Sequence, residues 1–353
     1  MIETADEPHV ALQGLRALAA LCVMAWHWND FTYGWLLPQN LIDVDVFFAA
    51  EGFFAAAALM QANANGSGWS VFRQHLLKVY PVYLLALALG VLLALPLGVQ
   101  LERTPPGIWG QPAMQTAAAL NSVLLPAFVL PNTFVYPFNL PSWAIVLEIY
   151  AFALMVFCRR WLSLPAFLTI VAAAALVYAG TTVVTHEPNP GWGTANYGCA
   201  FPRVIFGFFG GGLLYAFMRR FGSRVPRVNP LIPWGLFIGL QFPPFNIIRL
   251  PLVLFAVPLM VLLGAAGSNP CWQRGIAQLG GRLAHGIYIL CAPVMVGVRA
   301  VAAFLHLPKP VAFGPLSFLL QLALVLVLAY ANWRFIEAPL RGRAGLAQSE
   351  EAA

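Results

Sequence analysis

Charge is what this 353-residue chain has least of: Asp, Glu, Lys and Arg make up 9% of it, where soluble domains carry about a quarter. Hydrophobic residues reach 60%, and the two figures together exclude a soluble globular protein. Paired cysteines are missing too. Cys22, Cys158, Cys199, Cys271 and Cys291 are irregularly spaced and form no CxxC, so neither a disulfide framework nor a metal site is expected. The chain has no P-loop, no GxSxG elbow, no HExxH and no Rossmann glycine pattern, which sets aside the chemistries those motifs serve. Its acidic start, MIETADEPHV, has no charged leader before the first apolar run, so the first helix is expected to be retained. The net charge of +6 is spread over many loops, and no nucleic-acid partner is expected.

Long apolar runs are there instead. A spanning helix needs about 20 apolar residues. On that basis candidate spans fall at 12–35, 41–61, 79–99, 143–158, 164–183, 199–218, 230–246, 250–267, 283–304 and 312–333. The fourth is short, and Pro243, Pro244 and Pro251 interrupt the seventh and eighth. With the N-terminus inside, 13 Lys and Arg residues fall on the cytoplasmic side and five on the outer side, as the positive-inside rule asks. An extra span at 111–130 would put Arg159 and Arg160 outside, so it is rejected. The expected fold is an all-α polytopic membrane bundle of about ten helices with both termini cytoplasmic. Residues 1–343 form one transmembrane domain, and 344–353 a short disordered cytoplasmic tail. The outer segment 100–142 is rich in proline and aromatics and is expected to pack on the bundle or enter the interface.

Ionisable residues inside such runs are costly and informative. Arg16 and His27 stand eleven residues apart in the first run, on one helix face and roughly 16 Å apart along the axis. His27 therefore lies deep and needs a partner. Asp43 and Asp45 open the second helix, where N-capping is the simple account of Asp43. Glu51 and Glu148 lie in apolar runs with no Lys or Arg at helical spacing, so their partner should come from another helix. A histidine beside a carboxylate is the usual general-base arrangement, which makes His27 the expected partner. Arg73, His75 and Lys78 precede the third span. They read either as positive-inside anchors or as an anion site for a phosphorylated donor. Arg203 sits near an outer helix end, where the positive-inside rule asks for no cation. His285 is expected to be structural.

Taken in order, the runs resemble a known family. LQGLRALAALCVMAWHW resembles the first helix of the acyltransferase family 3 membrane proteins, with its Arg-x10-His signature at Arg16 and His27. DVDVFFAAEGFF, HLLKVYPVYLL, NLPSWAIVLEIYAF, LGGRLAHGIYIL and RFIEAPLRGR resemble the family's later motifs, covering residues 10–343. The resemblance implies transfer of an acyl group, usually acetyl, from cytoplasmic acyl-CoA to a carbohydrate hydroxyl, in a bacterial inner membrane. Acetyl-CoA would be a co-substrate, with no cofactor bound permanently. His27, Arg16 and Glu148 would form the catalytic set, with Asp45 as the other carboxylate able to orient His27. Arg16, Arg73, His75 and Lys78 would hold the CoA phosphates. Glu51, Asn139, Trp143 and Arg203 would contact the acceptor.

The sequence also departs from the family. Glu51 stands where Ser is usual, His75 and Lys78 where Arg is usual, Ala144 and Ile145 replace Ser-Leu, and Cys291 replaces a His. Two other readings fit the same buried charges: an exporter of a glycolipid or metabolite, and a degenerate relative acting as an assembly partner.

Overall fold

In hydrocarbon a backbone must satisfy its own hydrogen bonds, and helices do this within one segment. The computed structural model follows that rule. It describes residues 9–32, 42–65, 68–97, 112–129, 134–187, 189–242, 248–267, 271–307 and 314–343. The helices are α1 (Val10–Thr32), α2 (Ile42–Asn65), α3 (Gly68–Leu97), α4 (Pro112–Ser122), α5 (Ser142–Cys158) and α6 (Leu164–Thr185). They continue with α7 (Tyr197–Phe221), α8 (Leu231–Gly239), α9 (Arg249–Ala265), α10 (Cys271–Phe304), α11 (Pro315–Asn332) and α12 (Ala338–Arg343). Among the described residues there are no strands, only two isolated bridges, Phe134 with Gly193 and Val228 with Gly267.

Six helices among the described residues are long and apolar enough to cross a membrane: Val10–Trp28, Gly68–Leu93, Leu164–Thr185, Tyr197–Arg224, Gly275–Ala302 and Pro315–Leu340. Ser142–Cys158 and Arg249–Ala265 are apolar but shorter. α2 is 24 residues long and carries Asp43, Asp45 and Glu51. Where the sequence suggested a span at 230–246, the described helix α8 has nine residues. α4 has 11 residues, about 16 Å at 1.5 Å per residue, so the rejected span at 111–130 is indeed no crossing helix. The tail 344–353 and the start of the long loop lie outside the described residues.

α1 is the axis of the bundle, buried on nearly every side from Val10 to Trp28. Lipid tails are as apolar as leucine, so helices here associate through close packing rather than hydrophobic burial. The sequence supplies small residues where helices cross. A Cβ on Gly52 would lie 1.8 Å from the Phe208 carbonyl oxygen, and one on Gly211 would lie 1.9 Å from that of Ala49. α2 and α7 therefore meet backbone to backbone. Gly280 packs on the Ala17 side chain and Gly281 on that of Gln13, which brings α10 against α1.

The long loop packs on the bundle where it is described. Tyr83 donates to Asn121 O at 2.6 Å, Tyr80 to Ser122 O at 2.8 Å and Tyr150 to Leu124 O at 2.5 Å. Val135, Tyr136 and Phe138 of the same loop are buried. α9 contains a π turn at Leu252–Ala256, just after Arg249, and α11 runs into another at Trp333–Glu337.

Candidate functional site

Five helices each turn an ionisable side chain into one buried cluster. Arg16 comes from α1, Glu51 from α2, His75 from α3, Glu148 from α5 and His285 from α10. Arg16 Nη1 donates to Glu51 Oε1 at 2.6 Å, and Nη2 donates to the Gly281 carbonyl, one turn before His285. That reach depends on the two glycines that let α10 lie against α1. Glu51 Oε1 is 3.8 Å from His285 Nε2, which is 3.3 Å from Glu148 Oε1. Glu148 Oε1 also stands 3.0 Å from His75 Nε2. The angle at His75 does not complete a hydrogen bond, so this contact is electrostatic, and Glu148 Oε2 has no hydrogen-bond partner.

Helical spacing explains who takes part. Asp43, Phe47 and Glu51 follow i, i+4, i+8 and share one face of α2. Phe47 meets the rings of His285 and Tyr288 at 5.1 Å each. Phe152, one turn after Glu148, meets the His75 ring at 4.8 Å. These aromatic rings bury the cluster in apolar surroundings, where charge interactions are strong. Arg73 and His75 are two residues apart, about 200° around a helix, so Arg73 is exposed while His75 turns inward. Lys78, one turn beyond His75, is half-buried and acts electrostatically on both Glu51 and Glu148.

A second buried group lies on the other side of α2. Arg203 clamps Asp45 with both arms, Nε to Oδ1 at 2.7 Å and Nη2 to Oδ2 at 2.9 Å. Arg249 Nη2 reaches Asp45 Oδ2 at 3.3 Å. Asn189 Oδ1 accepts from both, at 2.5 Å from Arg203 and 3.3 Å from Arg249. Trp143 packs under the Arg203 guanidinium at 5.6 Å. A Cβ on Gly191, whose φ is +133°, would strike the Trp143 ring.

His27 belongs to neither group. It is buried, its ring meets that of Trp26 edge-on at 4.7 Å, and among the described residues it has no hydrogen-bond or ion-pair partner. The expected pairing with Glu148 or Asp45 does not occur, because helix adjacency gives Glu148 to His75 and His285, and Asp45 to the two arginines. Arg16, expected at CoA phosphates, is buried on Glu51 and Gly281, and His75 faces Glu148 instead of solvent. Glu51 and Arg203, expected at the acceptor, are likewise held by protein partners. Asn139 donates to Ile289 O at 3.0 Å. His285, expected to be merely structural, lies between the two glutamates.

A family model described as an acyltransferase domain, Acyl_transf_3, matches residues 9–331. The chain belongs to the acyltransferase-3 family. No curated protein and no solved structure matches it. Both buried groups and His27 lie within the matched residues.

Proposed function

We propose that this acyltransferase-3 protein is a multi-pass O-acyltransferase of the bacterial inner membrane, moving an acyl group, most simply acetyl, from cytoplasmic acyl-CoA to a carbohydrate hydroxyl. The observation that carries the reading is the family match across residues 9–331. The charge asymmetry between loops supports ten spans with both termini cytoplasmic.

His27 is the proposed general base. Its imidazole is buried and meets no carboxylate among the described residues, which leaves it available to a substrate. Neutral His27 takes the proton of the acceptor hydroxyl as that oxygen attacks the thioester carbonyl. The tetrahedral intermediate collapses with cleavage of the C–S bond. The departing CoA thiolate recovers the proton from the imidazolium, leaving an ester and free CoA. Arg73, exposed, and Lys78, half-buried, are the cations left to attract the CoA phosphates. Arg16 acts through Glu51 and Gly281, holding α1, α2 and α10 in register so that His27 keeps its place on the same face of α1.

The test is transfer of label from radiolabelled acetyl-CoA into a glycan fraction by purified protein in nanodiscs. Label in alkali-labile ester linkage supports the reading. Intact CoA binding with no transfer to any fraction of a membrane glycan extract would overturn it.

A further inference from the structure

The chain has no sequence motif for a metal, yet the fold gathers a ligand set from three distant helices. His75 on α3, Glu148 on α5 and His285 on α10 present one donor atom each, all within 4.8 Å of one another. His75 Nε2 is 3.0 Å and His285 Nε2 3.3 Å from Glu148 Oε1. A tetrahedral ion with bonds of about 2.0–2.1 Å holds its ligands roughly 3.3 Å apart. Two edges are near that length, and the third, within 4.8 Å, closes if the two imidazoles approach each other by up to about 1.5 Å.

His285 Nε2 and Glu148 Oε1 are within hydrogen-bonding geometry at 3.3 Å, but hydrogen bonding alone does not account for the rest of the trio. His75 Nε2 points at Glu148 without a hydrogen-bonding angle, and Glu148 Oε2 is buried with no hydrogen-bond partner. Buried polar atoms are ordinarily satisfied. Two imidazoles and one carboxylate suit a borderline-soft divalent ion and are a poor set for magnesium or calcium, which take oxygen ligands. The walls, Phe47 and Phe152, are apolar, Glu51 is already paired with Arg16, and the nearby cation of Lys78 adds to the call for an anion at the open position.

We infer that His75, Glu148 and His285 form a buried site for one divalent transition-metal ion of the zinc class, with a fourth position left to an exchangeable ligand. The two histidines bind neutral and the carboxylate ionised, so one positive charge remains on the ion and its ligands. An anion such as hydroxide balances it. The site is independent of the base at His27.

Protein purified through a tag without histidine is stripped with chelator and titrated with Co²⁺ in detergent. Visible d–d absorption of a low-coordinate site, saturating at about one ion per chain, is expected. Losing only an outer partner weakens a metal about 10–100-fold, so His75→Ala and His285→Ala should each weaken it by at least about 100-fold. Elemental analysis of the wild type after zinc reconstitution gives a second reading that needs no variant to fold. Absence of the cobalt bands and of stoichiometric zinc in the wild type overturns the inference. So does binding that both alanine variants retain.

Discussion

Arg16 and Glu51 are paired at 2.6 Å with both side chains buried. Removing one partner of such a pair costs about 3–5 kcal/mol, because the other is left buried and uncompensated. Glu51→Gln should therefore lower stability by that order in chemical unfolding in detergent, while the double replacement Arg16→Met with Glu51→Leu should recover most of it. A double variant no better than the singles would show that the pair is not the reason. Asp45 serves two arginines at once, so Asp45→Asn belongs in the same range, read by thermal unfolding. A change under about 1 kcal/mol there, the level of a surface pair, would contradict the buried clamp.

At the scale of the helix, glycines decide whether elements can meet. Gly52 would place a Cβ 1.8 Å from the Phe208 carbonyl oxygen, and backbone on both sides leaves little to yield, whereas Gly235 has nothing within 4 Å. Gly52→Ala should cost at least about 1–3 kcal/mol, the usual range for overpacking. Gly235→Ala, which improves helix propensity, should leave the melting temperature unchanged or slightly higher. Equal melting temperatures for the two would refute the close α2–α7 crossing. The burial of Glu51 and Glu148 was legible in the sequence, because a carboxylate inside an apolar run stands out. The pairings were not legible. They depend on which helices become neighbours, and periodicity within one helix carries no such information. Glu148 was assigned to His27 because both were buried, yet His75 and His285 are the residues its neighbours supply. One signal did exist. Glu51 and His75, two of the positions where the chain departs from family 3, lie in the same cluster.

For the whole molecule, the membrane setting followed from composition, 60% hydrophobic residues, and the helical class from apolar runs of about 20 residues. The number of crossings follows less directly, because α5, α8 and α9 are short and length alone does not say whether a helix spans. Labelling of introduced cysteines with a membrane-impermeant maleimide in intact cells tests the ten-span reading. Positions beside Arg159 and Arg224 should be protected until the membrane is opened. Labelling at either one in intact cells would reverse the assigned side.

The central claim is that acyl transfer passes through His27. General-base removal costs about 10²–10⁴-fold in rate. Free CoA thiol release from acetyl-CoA, followed with and without a glycan extract, should be acceptor-dependent in the wild type and fall by that factor in His27→Ala, with CoA affinity retained. Acceptor-dependent release at an unchanged rate in His27→Ala would contradict the account and move the base elsewhere.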